Sequence, residues 1–530
     1  MKQFLLIIFS VVFNQQLFAQ EEQRCNSFEL LQQLKAENPA YANMLEQSEI
    51  YLQQYISTHK NHLRTIITIP VVVHLLYNAD SSNHKLSDWQ IISQIDALNE
   101  DYRLMNADRY KTPSVFDSIV ADCEIEFCLA KKDPNGNATT GIVRVETPWD
   151  IFPDFSSAKQ TANGGDDPWP YTDYLNIWVC ALQYPMLGYS TFPSASINAS
   201  DDGVVIHYKT FGRINVFSTK YKLGRTATHE VGHWLNLLHI WGDSPGCSTD
   251  DNVSDTPLQD AEHYQCIPFP FVSCNNSGDM SMNYMDYSRD SCMNIYTEGQ
   301  KTRMVSAINL FRTPILNSSA CNAVDTLAYD IGITKIAQPD YLFYGNTIAP
   351  IVTLHNFGSQ TISACEIKYE KNWKSNLNSF SWSGSLAPNA NVDVTLPAIA
   401  DSNWYNIFCA WTKNPNGNQD ADTTNDFKTH SYYSLPDTLN SINIGSGEIQ
   451  NQTIFITNSF VTIEMNNPLL TERNISVYNS IGQKSKIALT KTALNKYQFN
   501  FNSVSSGIYY IRFADSHISI VKRVLVQHDF

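Results

Sequence analysis

The eleven residues from His229 to His239 constrain this chain more than any other feature of its sequence. His229 and His233 are four positions apart, so on a helix both imidazoles project from one face, with Glu230 beside them. His239 follows six residues after His233, past a point where the helix must end. Three neutral imidazoles and one carboxylate fit a catalytic zinc ion with an open fourth position and a general base. The segment therefore predicts zinc-dependent chemistry.

This segment resembles the metzincin pattern HExxHxxGxxH, with one departure at Asn236, where glycine is usual. The glycine ends the helix in a left-handed conformation, and asparagine is the next best residue for a positive φ. A second element lies between Met282 and Tyr287. Metzincins carry a tight turn with a methionine beneath the zinc site, and Met285 fits that position. The two elements occur in the order that the pattern requires.

Length and composition set the broad class. A chain of 530 residues is too long for one core and indicates about three domains. A hydrophobic content of 43% with 12% aromatic residues is typical of folded material. The net charge of −16 argues against nucleic acid and anionic membranes as main partners. Residues 1–19 read as a signal peptide, with a buried first strand as the alternative, and we expect no membrane span.

Export permits disulfide bonds, and the chain has eleven cysteines. Four of them fall in a polar stretch between the zinc segment and the region just past the turn at Met285, where crosslinks would hold the chain in shape: Cys247, Cys266, Cys274 and Cys292. Spacing alone leaves all three pairings of these four cysteines open. Three others lie in strand-like runs, where buried thiols or a bridge are equally expected: Cys123, Cys128 and Cys180.

The patterning divides the chain into segments. Residues 20–64 predict a helical prosegment, with Arg64 as the cleavage point. Strand-like runs at 65–77, 125–129, 175–182 and 204–206 alternate with helices that start at Ser87, near Thr226 and at Thr297. This alternation predicts a mixed α/β sheet covered by helices over residues 65–321. His74, in the first strand, is either a core histidine or a fourth metal ligand, and we favour the core reading.

The C-terminal part is predicted to be all β. Residues 330–434 show short β runs and turn signals, which predict a β-sandwich. Residues 435–467 form a polar connector with some strand content, and residues 468–530 return to short strands. The two β domains differ in sequence, so they are not a repeat.

Residues 65–321 resemble the pappalysin family of metzincins, in the zinc segment, the four-cysteine stretch, the turn at 283–287 and the segments 187–193 and 202–206. The resemblance implies an α/β (α+β) fold with a mixed five-stranded sheet and zinc-dependent endopeptidase activity. It implies that the three histidines hold zinc, that Glu230 is the general base, that Tyr287 stabilises the oxyanion and that Met285 lies below the metal. An edge strand with Gly188 and Tyr189 would bind the substrate.

The same resemblance implies a preference for the residue that follows the cleaved bond. Asp290 lies five residues after Met285, where relatives line the pocket for the residue that follows the cut. A carboxylate there favours arginine or lysine, so we expect cleavage on the N-terminal side of basic residues. The alternative is an exposed loop acid neutralised by Arg289. The resemblance also implies the disulfides Cys247–Cys274 and Cys266–Cys292.

Two further sites follow from the family. Relatives bind structural calcium, for which this chain offers hard oxygen ligands, with a solvated acidic loop as the alternative: Asp250, Asp251, Asp255 and Thr256. Arg24 and Cys25 resemble a prosegment motif whose thiolate occupies the open zinc position, although Asn26 replaces the usual glycine. The alternative is that Cys25 is an unpaired bystander.

The last block resembles the C-terminal sorting domain of the type IX secretion system, at 467–468, 477–483, 506–509 and 522–526. Together these features predict a secreted or cell-surface zinc endopeptidase made as a latent zymogen, which acts on proteins or peptides and is exported by the type IX machinery. A surface adhesin with an inactive metzincin domain is the alternative. The presence of all three histidines and Glu230 argues against it.

Overall fold

The structure, a computed structural model, describes residues 24–59, 66–194 and 200–324. It also describes residues 327–526, except 345–346, 374–376, 402–403, 436–440, 445–453, 457–459, 466–474, 480–483, 486, 494–495, 501–506 and 515–518. The predicted signal peptide and Arg64 lie outside the described residues. The chain forms two compact units, one of residues up to 330 with 357–359 and 420–428, and one of the remaining residues.

Two helices open the described chain, α1 (Ser27–Glu37) and α2 (Pro39–Thr58). Asn38 separates them, because its side chain accepts hydrogen bonds from the amides of Ala40 and Tyr41 and so caps α2. Pro39 takes the first helical position, where a missing amide hydrogen costs nothing. The helical character predicted for residues 20–64 is therefore present as two consecutive helices.

A mixed sheet forms the centre of the first unit. Its strands are β1 (Ile67–Tyr77), β2 (Ile125–Leu129), β3 (Ile142–Glu146), β4 (Leu175–Cys180), β5 (Gly188–Ser190) and β6 (Val204–His207). The order is β2-β1-β4-β6-β5, and only β5 runs antiparallel to its neighbour. The sheet has six strands rather than the predicted five. The eleven residues of β1 leave room for β3 beside residues 73–77, beyond the segment paired with β2.

Three long helices complete this unit: α3 (Asp88–Tyr102), α4 (Arg225–Trp234) and α5 (Glu298–Phe311). Ser87 caps α3 through the amide of Gln90, as its sequence predicts. Thr297 and Gln300 form a reciprocal capping box at the start of α5. Short 3-10 turns lie at Ser82–His84, Arg109–Lys111, Ser114–Phe116, Ser157–Lys159, Thr161–Asn163, Tyr208–Thr210 and Thr313–Asn317.

Disulfide bonds hold the polar stretch that follows α4. Cys247 is bonded to Cys274, and Cys266 to Cys292, the pairing that the family resemblance implied. A further bridge joins Cys128 of β2 to Cys321, after α5, and so ties the end of the unit to its sheet. Cys123 and Cys180 are buried free thiols. His74 lies in the core, where its ring stacks on Trp178 and bonds to Asp166 and Asn176.

The later part of the chain is all β in its described residues, apart from a 3-10 turn at Pro415–Gly417. Strands up to position 435 form three sheets, ordered β13-β10-β7, β12-β11-β15-β16-β8 and β14-β9. They are β7 (Ile331–Gln338), β8 (Leu342–Tyr344), β9 (Thr347–Ile348), β10 (Ile351–Asn356), β11 (Ile362–Lys371), β12 (Asn378–Leu386), β13 (Asn391–Thr395), β14 (Ile399–Ala400), β15 (Trp404–Lys413) and β16 (Phe427–Leu435). The β class agrees with the prediction for residues 330–434.

The last block contains two sheets, ordered β17-β19-β23-β22 and β18-β25-β24-β20-β21. Its strands are β17 (Ser441–Ile444), β18 (Ile454–Ile456), β19 (Phe460–Met465), β20 (Ile475–Asn479), β21 (Lys484–Ser485), β22 (Ala488–Ala493), β23 (Lys496–Asn500), β24 (Gly507–Ala514) and β25 (Ser519–Val526). Strands β17 to β19 lie in the predicted connector, yet they pair into the sheets of the last block. Across the part of the chain that the structure describes, none of the helices is long and apolar enough to cross a membrane.

Candidate active site

Three histidine side chains converge at one buried point. His229 and His233 lie one turn apart on α4, which ends at Trp234. The chain then reverses through Asn236, whose φ of 77° is the left-handed conformation that its sequence predicted. This reversal brings His239 back, and the three Nε2 atoms lie 3.0 to 3.2 Å from one another.

Hydrogen-bond acceptors outside the cluster determine which nitrogen of each imidazole carries the hydrogen. His229 Nδ1 lies 2.7 Å from the carbonyl oxygen of Tyr284, and His233 Nδ1 lies 2.7 Å from that of Leu237. A carbonyl oxygen only accepts, so both Nδ1 atoms carry the hydrogen and both Nε2 lone pairs face inward. His239 Nδ1 is held by Asp243 in the same way. Three converging lone pairs repel one another without a cation, so these residues fit a zinc ion.

Burial supports this assignment of protons. Desolvation, and then the neighbouring imidazoles, hold the pKa of His229 and His233 well below the ordinary value. Both rings are therefore neutral, which is the form that binds a metal.

Glu230 lies beside the histidines and is fully buried. Burial raises the pKa of its carboxyl to about 7, although hydrogen bonds from Ser27 and Cys25 oppose the shift. The Ser27 hydroxyl donates to Oε2 over 2.8 Å, whereas Oε1 has no hydrogen-bond partner among the described residues. Gly188 makes room for this carboxylate, because a Cβ there would lie 3.0 Å from Glu230 Cγ.

The turn around Met285 lies against the zinc helix. Met285 is buried, and a Cβ on Gly232 of α4 would come within 2.5 Å of its sulfur, so glycine permits the close approach. The Asn283 side chain accepts the amide of Met285 over 2.9 Å and shapes the turn. Tyr287 packs perpendicular to His239, with ring centroids 4.9 Å apart. Its hydroxyl donates to the carbonyl oxygen of Cys25 over 3.0 Å.

Asp290 is buried, which excludes the reading of an exposed loop acid. One carboxylate oxygen accepts the amide of Leu223 over 2.7 Å and that of Arg225 over 3.4 Å. The other oxygen pairs with the guanidinium of Arg24 over 3.1 Å, so the cation that meets Asp290 is Arg24 and not Arg289. The ring of Tyr221, which sequence reasoning did not single out, lies 5.2 Å from the centre of that guanidinium.

An N-terminal segment, residues 24–27, fills the space in front of the histidines. Cys25 Sγ and the three imidazole ligand atoms all lie within 4.8 Å of one another. The amide of Asn26 donates to the carbonyl oxygen of Gly188, and the Ser27 hydroxyl accepts the amide of Ser190. Sequence reasoning missed Ser27, because a lone serine after Cys25 carries no recognisable signal.

Tyr189, predicted with Gly188 to bind substrate, turns its side chain the other way. Its ring is buried in the apolar cluster behind the sheet, and its hydroxyl donates to the carbonyl oxygen of Phe155 over 2.9 Å. Alternate residues of a strand face opposite sides, so Gly188 and Ser190 face the site and Tyr189 does not. The side chain of Tyr189 therefore does not face the site, and substrate binding along this strand stays a prediction about the main chain of β5.

The acidic residues of the loop after α4 make different contacts. Both carboxylate oxygens of Asp255 accept hydrogen bonds at the start of α5, from Thr297 and Gly299. The Thr256 hydroxyl donates to Asp251 Oδ1 over 2.7 Å. Asp251 Oδ2 is buried without a hydrogen-bond partner among the described residues, and burial raises the pKa of this carboxyl to about 7. Asp250 is exposed.

Comparisons with known proteins place this site in a family. Residues 160–309 match the peptidase M43 family model, described as pregnancy-associated plasma protein-A. An extracellular metalloprotease of Arthroderma benhamiae is 30% identical over 250 residues, which cover 46% of this chain and 79% of that protein. A second, from Colletotrichum graminicola, is 32% identical over 46% of this chain and 78% of its own length. The chain belongs to the pappalysin family.

A solved structure agrees with this membership, and a second is a similar chain. A mutant of Tannerella forsythia promirolysin is 42% identical and covers 56% of this chain and 97% of its own, with a TM-score of 0.51. Mature mirolysin of the same organism, in complex with a cleaved peptide, is 47% identical over 48% of this chain and 96% of its own, with a TM-score of 0.46. This pappalysin is a metalloendopeptidase, and its family implies zinc as the cofactor, for which the histidine cluster is present.

The end of the chain matches a second model. Residues 457–527 match the secretion system C-terminal sorting domain. This pappalysin is therefore a secreted protein that carries a type IX sorting domain. The match begins within the predicted connector, as does the strand pairing of β19.

Proposed function

We propose that the enzyme binds zinc through His229, His233 and His239 and uses Glu230 as general base. It cuts peptide bonds before arginine or lysine and is made as a latent precursor. The observation that carries this proposal is the position of residues 24–27. They lie across the histidines, with Arg24 paired to Asp290 and Cys25 beside the imidazoles.

A zinc ion held by His229, His233 and His239 would supply Lewis acidity, which would polarise the scissile carbonyl and lower the pKa of water toward about 7. Glu230 accepts the proton of the attacking water at a carboxylate oxygen and returns it to the leaving amine. The hydroxyl of Tyr287 already donates to a main-chain carbonyl oxygen, that of Cys25. The same donation to the scissile carbonyl stabilises the negative charge that develops on its oxygen.

The substrate backbone binds along β5. This strand ends the path of the sheet, so one of its edges is open for pairing. The carbonyl oxygen of Gly188 and the amide of Ser190 now bond to residues 26 and 27. A substrate in an extended conformation takes these same partners once the N-terminal segment has left.

Specificity for basic residues rests on Asp290. Its carboxylate is buried and is oriented by the amides of Leu223 and Arg225. A buried carboxylate without a cation is strongly unfavourable, so the pocket needs a positive charge. In the precursor Arg24 supplies that charge, and in the active enzyme the residue after the cut does so.

Latency follows from the same four residues. Cys25 provides a soft sulfur ligand for the open zinc position. Ser27 donates to Glu230, and Tyr287 is occupied by the Cys25 carbonyl. Every group that the reaction needs is thus engaged, which disfavours the reading of Cys25 as a bystander. Residues 20–64 are accordingly the prosegment.

We further propose a structural calcium ion beside Asp251. Its buried oxygen without a described partner is the kind of hard ligand that calcium takes. Thr256 orients this carboxylate, whereas Asp255 is committed to capping α5. We keep residues 65–321 as the catalytic domain, and 330–434 as a β-sandwich that serves as a spacer or a substrate-binding module.

The test is to map the cuts that the activated enzyme makes in a mixture of denatured proteins. Glu230→Ala is the matched control, since it keeps the fold and removes the base. We expect new N-termini that begin with arginine or lysine, and a rate in the control at least about a thousandfold lower. Cuts at other sites would refute only the role of Asp290 and would leave the proposed mechanism standing. Equal cutting by the control would refute the mechanism.

A further inference from the structure

The guanidinium of Arg24 shows what a basic side chain meets in this pocket. It is fully buried and makes three contacts. One terminal nitrogen bonds to Asp290 over 3.1 Å, the other donates to the carbonyl oxygen of Ser288 over 2.7 Å, and the ring of Tyr221 lies alongside. These three contacts do not all distinguish arginine from lysine.

The ion pair with Asp290 does not distinguish the two side chains. Only one oxygen of this carboxylate is open to the guest, because the other accepts the amides of Leu223 and Arg225. Arginine therefore meets Asp290 through a single nitrogen and not through the two-point fork that normally favours it. A lysine ammonium could form the same single ion pair.

The remaining contacts do distinguish them. A guanidinium is planar, delocalised and weakly hydrated, so it lies against an aromatic face at little cost, whereas an ammonium is compact and strongly hydrated. The fork of arginine also reaches Ser288 and Asp290 at the same time, while an ammonium on an unbranched stem is a single point. Tyr221 is buried, and its amide donates to the Ser218 side chain, which fixes the turn that carries the ring.

We propose that Tyr221, with the carbonyl of Ser288, makes the pocket select arginine over lysine. This inference rests on the proposed function of Asp290 and adds a specificity-determining residue to it. The ring acts on the side chain of the substrate and not on the bond that is cut. Its loss should therefore raise KM for arginine substrates and leave kcat nearly unchanged.

The experiment compares peptides that differ only in the residue after the cut, which is arginine, lysine or uncharged citrulline. Activated wild-type enzyme should prefer arginine to lysine by about tenfold in kcat/KM, the size of a desolvated cation–π contact. Tyr221→Leu should remove most of this preference, and Tyr221→Phe, which keeps the ring, should retain it. An equal loss for arginine and lysine in Tyr221→Leu would overturn the inference, as would a wild-type enzyme that does not discriminate.

A second measurement does not depend on where the enzyme cuts. Synthetic peptides of residues 24–37, with arginine, lysine or citrulline at position 24, are tested as inhibitors of the wild-type mature enzyme and of Tyr221→Phe. We expect the arginine peptide to inhibit both about tenfold more strongly than the lysine peptide. Equal inhibition would overturn the role of Tyr221. An enzyme that does not cut before basic residues, yet shows this inhibitor preference, would refute the proposed specificity but not the pocket.

Discussion

The two parts of the N-terminal region contact the catalytic domain in different ways. Residues 24–27 are buried, and they bond to the side chains of Glu230, Tyr287 and Asp290. Beyond Ser27, the helices α1 and α2 are mostly exposed and touch none of these three side chains among their described hydrogen bonds and ion pairs. A partly buried ion pair between Glu49 and Arg303, with distances of 2.9 and 2.7 Å, anchors them.

This difference indicates a division of labour in the proposed latency. Residues 24–27 block the chemistry, and the helical residues beyond Ser27 supply the affinity that holds them there. Arg303 connects the two, because its Nε donates to the carbonyl oxygen of Asn236, the residue at which the chain turns between His233 and His239. Substitutions in residues 24–27 should therefore change the activity of the intact precursor. Substitutions in the helices should change only how tightly the prosegment binds.

The largest effect is expected from Cys25→Ala, because this change removes a ligand from the proposed metal site. We expect the intact precursor to hydrolyse a small fluorogenic peptide about a hundredfold faster than wild type, since even outer partners of metal sites contribute about 10–100-fold. Initial rates are measured while gels show the precursor uncleaved. Cys180→Ala, at a buried free cysteine of β4, is the matched control. Unchanged latency in Cys25→Ala would show that the sulfur is a bystander.

A smaller effect is expected from Ser27→Ala. Its hydroxyl donates to Glu230 and accepts from the amide of Ser190, so its loss frees the base and loosens the edge strand. A hydrogen bond to a charged group contributes about 1.5–3 kcal/mol, which corresponds to at least about a tenfold rise in precursor activity. Ser57→Ala, on the exposed end of α2, should behave as wild type. If Ser27→Ala matched this control, Ser27 would have no part in latency, and the inhibition would depend on Cys25 instead.

The sequence predicted the catalytic groups better than their surroundings. The spacing of His229, His233 and His239, and the asparagine at 236, were sufficient to predict the helix, its left-handed end and the convergence of the imidazoles. Local periodicity likewise predicted α3, α4 and α5, with Ser87 as the cap of α3. These features depend on contacts between residues close in sequence, which a pattern can record.

The features that the sequence did not predict depend on contacts between residues that are far apart in the sequence. Tyr221 and Ser27 gain their roles only because the fold brings positions 24–27 against residues about 200 and more positions later. The strand β3 and the bridge from Cys128 to Cys321 have the same origin. The motif predicted the strand that contains Tyr189 but not the face of the sheet on which its ring lies. The local pattern of one sequence does not record such pairings.

The smallest effect is expected from Glu49→Gln, which weakens the helical anchor and leaves residues 24–27 intact. Burial raises the pKa of Glu49, but the hydrogen bond and charge of Arg303 outweigh it, so the pKa lies below 4.5. The ion pair therefore contributes above pH 4.5 and is lost as the pH falls through the lowered pKa. Glu49 is partly exposed, so we expect only about a threefold loss of affinity near neutral pH.

The measurement is the inhibition constant of prosegment peptides of residues 24–59, added to the mature enzyme at several pH values. The wild-type peptide should lose its advantage over the Glu49→Gln peptide in acid, because protonation removes the same charge as the substitution. Glu46→Gln, at an exposed position on the same helix, should match wild type throughout. The intact precursor with Glu49→Gln should stay latent, since Cys25 and Ser27 remain in place. An active precursor would contradict the separation of block from anchor, because it would mean that the helices hold the catalytic groups directly.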